Sequence, residues 1–252
     1  ENEKGIIRSF IQNVWMKSAK IATAFIHIGC HKAGSTSIQQ SLGNSREMLE
    51  SMGYLYPFFK QSEESRKELY NHSIPFLSIC WDKEYPYHFY RRRSINDEKK
   101  IKIQKERFEK QFEDQVNGFQ GGSLVVSGEG LSTFGSAGGN MFKALLENSV
   151  GTQTDFRVIF FIRHPNDRFR SELQQKLKDG NQIDNLEQRI MHKSGSYFRN
   201  SLEKYISAFG QNKIYVHRFE DALKHKNSLL GHFLSLIGVD EEKHALFKEY
   251  RS

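Results

Sequence analysis

Cysteine is scarce in this sequence: two residues, Cys30 and Cys80, in 252. That is too few for a disulfide framework or a CxxC metal site, and it favours a reducing compartment. Long apolar runs are missing too. The best, Ile21 to Cys30, is bounded by Lys20 and Lys32 and falls short of the roughly 18 to 20 residues a membrane-spanning helix needs. No internal repeat or low-complexity tract is visible. Acidic residues are outnumbered, 30 against 37 Lys and Arg, for a net charge of +7. This excess fits an anionic partner, whether nucleotide, polyanionic glycan, nucleic acid or membrane surface, without choosing among them.

What is present is enough for a core. Hydrophobic residues make up 37% and aromatics 13%, with 20 Phe, too rich for a disordered chain despite a mean hydropathy of -0.65. The length suits one α/β domain spanning 1–252. Gly5 to Trp15 pairs apolar residues at helical spacing, Ile6/Ile7, Phe10/Ile11 and Val14/Trp15. This predicts a helix docked on its own domain, with a membrane-surface helix as the other reading.

Five segments read as buried strands, being short, rich in β-branched and aromatic residues and bounded by Gly, Pro or charge. They are Ala24 to Ile28, Tyr54 to Tyr56, Leu124 to Ser127, Phe156 to Ile162 and Ile214 to His217. Helical spacing falls between them: Phe108, Phe112 and Val116; Phe169, Leu173 and Leu177; Phe198, Leu202, Tyr205 and Phe209. The alternation predicts a three-layer α/β fold, with a roughly five-stranded parallel sheet flanked by helices. The stretch 61–105 breaks the rhythm with Trp81, Tyr85, Tyr87, Tyr90 and Arg91 to Arg93. It reads as an insertion over the ligand edge of the sheet, or as a solvated excursion with a few docked aromatics.

The first strand runs into Gly29-Cys-His-Lys-Ala-Gly-Ser-Thr-Ser37 and then a helical pattern with Ile38 and Leu42. A strand, a Gly/Ser/Thr turn and a helix start make an anion cradle. Glycines permit the turn, backbone N–H groups and the helix dipole converge on the anion, and Lys32 adds a full charge. Ser35, Thr36 and Ser37 add hydroxyl donors and helix caps. A nucleoside-triphosphatase loop carries a hydroxyl directly after its lysine to hold magnesium. Here Ala33 follows Lys32, so the site has less need of a metal. A second strand ends in Arg163-His-Pro-Asn-Asp-Arg168-Phe-Arg-Ser171. An arginine at the carboxyl end of a parallel strand can fork onto a phosphate, with Ser171 adding a hydroxyl. The plain alternative is a surface ion pair of Arg163 or Arg168 with Asp167 beside a helix start.

Together these segments resemble the sulfotransferase family, which uses 3′-phosphoadenosine 5′-phosphosulfate as donor. Lys32, Gly34, Ser35, Thr36 and Ser37 fit the family's K-x-G-[ST]-[ST] loop, with Ala33 where threonine is common. The resemblance implies that Lys32, Ala33, Gly34, Ser35, Thr36 and Ser37 bind the 5′-phosphosulfate. Arg163, Pro165, Arg168 and Ser171 match the R-x-P-x-x-R-x-x-S pattern, which implies that Arg163 and Ser171 bind the 3′-phosphate. Gly195 to Tyr197, Phe209-Gly210 and Phe219-Glu-Asp221-Ala-Leu223 are similar to later family elements. The family's late Gly-rich or basic loop over the cofactor has no clear equivalent before Ser252, so it is absent or beyond this sequence.

Sulfuryl transfer needs stabilised equatorial oxygens and a base for the acceptor proton. Lys32 is the expected electrostatic catalyst. Glu129, in Ser127-Gly-Glu-Gly130 after a strand, is the first candidate base, and His72 in Asn71-His-Ser73 the second. A turn glutamate and a surface histidine are their ordinary alternatives. His27, inside a strand, reads as a satisfied core residue. The expectation is therefore a transferase with an anionic nucleotide donor, no metal, no nucleic-acid partner, and a hydroxyl or amine acceptor such as a glycan. A cytoplasmic setting is expected, or a secretory lumen if an N-terminal anchor was removed. A magnesium-dependent P-loop kinase or hydrolase and a non-catalytic basic polyanion-binding module are the competing readings.

Overall fold

A computed structural model describes residues 21–29, 33–81, 88–91, 95, 97–178, 180, 186–225 and 228–250. The helical pattern expected at 5–15, Lys32, Tyr85, Tyr87 and Arg92/Arg93 lie outside them. The strands are β1 (Ile21–Ile28), β2 (Tyr54–Leu55), β3 (Phe59–Lys60), β4 (Glu68–Leu69), β5 (Gly122–Gly128), β6 (Asp155–Ile162) and β7 (Ile214–Arg218). The helices of eight residues or more are α1 (Ser35–Asn44), α5 (Glu98–Gly118), α6 (Ser136–Val150), α7 (Pro165–Lys178), α8 (Leu186–Phe209) and α10 (Ser228–Leu236). The shorter ones are α2 (Arg46–Ser51), α3 (Ser73–Ile79), α4 (His88–Arg91) and α9 (Phe219–Leu223).

Five strands form one sheet in the order β2-β5-β1-β6-β7, every neighbour pair parallel. β1 is central, and Ala24 to Ile28 are buried on both of its faces. Such continuous burial is why this segment is an apolar run rather than an alternating one. Consecutive residues of β6 show the two covering layers, since strand side chains alternate faces. Phe160 meets Tyr205 of α8 at 5.8 Å between ring centroids. Phe161 turns to the other face, where the neighbouring His27 ring meets Phe233 of α10 at 5.2 Å. The architecture is the expected five-stranded parallel sheet flanked by helices.

Two details differ from the sequence pattern. β7 is an edge strand with Tyr215 41% and Val216 45% exposed, so its apolar run is covered less than expected. In α7, Leu177 is exposed while Arg168 is buried and laid over the Phe198 ring at 5.1 Å. A guanidinium stacked on an aromatic face replaces part of the apolar stripe read from Phe169, Leu173 and Leu177.

The stretch read as an insertion contributes core. Phe76 of α3 meets Phe112 of α5 and Phe142 of α6, each at 5.1 Å. Two-residue strands β3 and β4 pair antiparallel beside them. The outer edge of β3 has no strand partner among the described residues. Instead the Gln115 amide donates to the Phe58 carbonyl and accepts from the Phe58 N–H, and Gln111 does the same for Lys60.

Candidate active site

The chain leaves β1 to pair with β5 on one side and β6 on the other, so the carboxyl end of β1 is a topological switch point, where open α/β sheets bind ligands. Gly29 follows β1 and donates to the Gly128 carbonyl at 3.3 Å. Gly34, at φ 72, is the residue before α1. Only a residue free of a Cβ tolerates this left-handed turn at low cost, and a Cβ here would also overlap Leu229 and stand 3.1 Å from Phe219. Because glycine occupies the cap position, α1 has no side-chain cap. The expected capping by Ser35, Thr36 and Ser37 is not made, and the first-turn N–H groups keep their capacity for an anion. Ala33, Ser35 and Ser37 are buried and Thr36 is exposed. Ser35 is 3% exposed, and its hydroxyl has no hydrogen-bond partner among the described residues.

Arg163 follows β6, one strand from β1, and its guanidinium lies 5.3 Å from the centre of the Phe219 ring. That ring borders Gly34, so the arginine and the turn before α1 share one aromatic wall. Glu220 accepts the His164 N–H at 2.7 Å. Burial pushes its carboxyl upward, but the backbone N–H bonds and the nearby Arg218 and Arg163 outweigh this and hold it below the ordinary carboxylate range. Ser171 is half-buried on α7. Arg168 makes a loose ion pair with Glu172 at 3.7 Å rather than with Asp167.

No family model and no curated protein matches this sequence. Solved structures do. A sulfotransferase from Alicyclobacillus acidocaldarius is 15% identical, with a TM-score of 0.46 over 87% of this chain and 82% of that one. The sulfotransferase domain from the curacin biosynthetic pathway is 15% identical, with a TM-score of 0.50 over 92% and 78%. The chain has a sulfotransferase-like fold.

In this sulfotransferase-like fold β5 flanks β1 on the side opposite β6. Glu129 opens the 3₁₀ turn Glu129–Thr133 and is half-buried. Its Cα lies 3.0 Å from where a Cβ on Gly29 would be. The candidate base therefore stands directly beside the turn that carries Ser35.

His72 does not fit the role of base. It is fully buried, its Nδ1 accepts the Ser127 N–H at 3.0 Å, and its Nε2 lies 2.7 Å from the Pro57 carbonyl. A carbonyl accepts only, so Nε2 carries the proton and the imidazole has no free lone pair. Burial lowers its pKa to about 3. His27 is a core residue as expected, with Nδ1 2.8 Å from the Ser127 hydroxyl and a pKa that burial lowers to about 3. Its Nε2 has no partner among the described residues.

The structure thus brings Ser35, Gly34, Arg163 and Glu129 to one sheet edge. Lys32, two residues before Gly34 in sequence, lies outside the described residues. Phe219 was not singled out as a site residue by the sequence, since an aromatic at a helix start reads as packing. Among the described residues no three His, Cys, Asp or Glu side chains converge to hold a metal ion, and no helix is long and apolar enough to cross a membrane.

Proposed function

We propose that this chain is a sulfotransferase that moves a sulfuryl group from 3′-phosphoadenosine 5′-phosphosulfate to a hydroxyl or amine acceptor. The observation that carries this reading is the buried Ser35 hydroxyl, without a partner among the described residues, at a start of α1 that has no side-chain cap. A buried hydroxyl without a partner costs roughly 1 to 3 kcal/mol, which a ligand oxygen relieves. Arg163 one strand away supplies a charge for a second phosphate, and its shared wall with Gly34 suits a ligand with two anionic groups. Lys32, Gly34, Ser35 and the first-turn amides hold the transferred group, and Lys32 offsets charge on its equatorial oxygens. Ala33, Thr36, Ser37 and Ser171 complete the donor set. Glu129 takes the acceptor proton as the acceptor oxygen or nitrogen attacks sulfur in line and the bisphosphate leaves.

A glycan is the acceptor class we favour, because the chain is basic and aromatic residues cluster at 81–93. With two cysteines and no need of disulfides, we assign the protein to the cytoplasm. The donor and acceptor chemistry requires neither metal nor nucleic acid.

The test is calorimetry with adenosine 3′,5′-bisphosphate in the absence of magnesium. The intact chain is expected to bind at micromolar Kd or tighter, and Arg163→Ala to weaken binding by about 1.5 to 3 kcal/mol, the value of a charged hydrogen bond. Lys32→Ala should weaken it as well. Absence of binding with and without metal overturns the assignment, and magnesium-dependent ATP binding in its place supports the kinase reading.

A further inference from the structure

Among the described residues β2 pairs with β5 only at Ser123 and Leu124, which leaves the outer edge of β5 without a described strand where it approaches Glu129. The segment Asn71-His72-Ser73 fills that gap. The His72 N–H donates to the Ser127 carbonyl at 2.9 Å, and the Ser127 N–H donates to His72 Nδ1 at 3.0 Å. One residue thus replaces a strand at Ser127, using its main chain and its ring. On the far side of Glu129 the Gly130 N–H donates to the Ser73 hydroxyl at 2.6 Å. Ser73 is itself held by its own N–H, which donates to the Asn71 side-chain oxygen at 2.9 Å.

The two glycines around Glu129 permit this close seat. A Cβ on Gly128 would stand 2.9 Å from the Ser73 nitrogen, and one on Gly130 would stand 2.8 Å from Leu77 and 3.0 Å from the Ser73 Cβ. The Ser127 hydroxyl also bonds His27, two residues before Gly29. The bracket is therefore tied on one side to the strand that carries the phosphate loop and on the other to α3.

We propose that Asn71–Ser73 is a positioning element that fixes Glu129 against Gly29 and Ser35, with Ser73 and His72 acting through backbone on either side of the carboxylate. The proposal rests on the sulfotransferase reading, in which Glu129 takes the acceptor proton. His72 contributes as a neutral imidazole whose two nitrogens play opposite roles, one accepting and one donating. Its function is geometric.

The test compares wild type, Ser73→Ala, Ser73→Thr, Glu129→Gln and the Ser73→Ala/Glu129→Gln pair in the full chain. Bisphosphate affinity is read by calorimetry, and consumption of the phosphosulfate donor with 4-nitrophenol or water as acceptor. Ser73→Ala is expected to lower turnover 10- to 100-fold with bisphosphate affinity within about threefold, Ser73→Thr to restore it, and the double variant to be no slower than Glu129→Gln alone. Equal losses in both backgrounds, or a Glu129→Gln enzyme as fast as wild type, overturn the proposal. If wild type binds no bisphosphate or turns over no donor, the functional reading has failed for that step. The bracket is then judged by amide exchange: Gly130 protection lost in Ser73→Ala and kept in Ser73→Thr upholds it, and protection kept in both overturns it.

Discussion

Gly29 and Glu129 directly follow neighbouring strands, and the space between them is too small for a single methyl group. A Cβ on Gly29 would stand 3.0 Å from the Glu129 Cα and 2.7 Å from the Ser35 Cβ, and would overlap the Ser35 hydroxyl. Three candidate functions therefore share one contact point: the turn, the donor hydroxyl and the base. Gly29→Ala is expected to force Ser35 out of its seat. The overpacking should cost about 1 to 3 kcal/mol of stability, and bisphosphate affinity should fall at least tenfold in calorimetry. A Gly29→Ala protein that binds as wild type does would mean that the turn has slack the geometry does not suggest.

Phe219 supports Arg163 from beneath and borders Gly34. Phe219→Leu keeps apolar volume against Gly34 but removes the ring face. The cation–π contribution of a partly exposed pair is about 0.5 to 1 kcal/mol, so bisphosphate should bind roughly two- to fivefold more weakly while Phe219→Trp retains affinity. Titration calorimetry on the two variants separates loss of the ring from loss of bulk.

Much of the fold was legible in the sequence because β1, β5 and β6 are covered on both faces, and that burial writes itself as continuous apolar runs. β7 carried a similar Ile-Tyr-Val run and is an exposed edge, since a run reports residue type and not the number of layers over it. Strands β3 and β4 have two residues each, too few for a period. The turn before α1 was legible because its positive φ needs a glycine, as at Gly34, and the place of Arg163 followed from its position directly after β6. His72 was misread because the role of an imidazole depends on its partners, and Ser127 and Pro57 are 55 and 15 residues away.

Gln115 and Phe58 form a two-point pair, the side-chain amide donating at 2.8 Å and accepting at 3.0 Å. Gln115→Ala removes both bonds and leaves a half-buried N–H and C=O. The expected cost is about 1 to 3 kcal/mol, or a Tm lower by roughly 2 to 4 °C per kcal/mol for a chain of this size. Gln115→Glu keeps the acceptor but loses the donor and should be intermediate. Bisphosphate affinity should not change in either, because β3 belongs to a separate two-stranded sheet and carries none of Gly34, Ser35 and Arg163.

Stability should fall as the solution is acidified below pH 6.5, and histidine rather than the site sets part of the slope. Burial holds His27 and His72 neutral down to about pH 3, whereas the unfolded chain takes up a proton on each near 6.5. The unfolded state thus binds more protons between these limits, and stability rises with pH there and levels off above 6.5. His217 and His232, with ring centroids 5.4 Å apart, act in the same direction. Burial lowers both, and His232 is lowered further by His217 and His225. His72→Asn offers an oxygen to the Ser127 N–H but cannot titrate. It should be less stable than wild type at pH 7, yet its stability between pH 6 and 4 should fall less steeply by about 1.4 kcal/mol per pH unit, one proton's worth. Denaturant unfolding of both proteins at several pH values reads this difference directly, since carboxylates titrating in the same window are common to both. Parallel curves would show that the His72 ring is protonated in the folded protein, and that the Ser127 N–H is not its partner in solution.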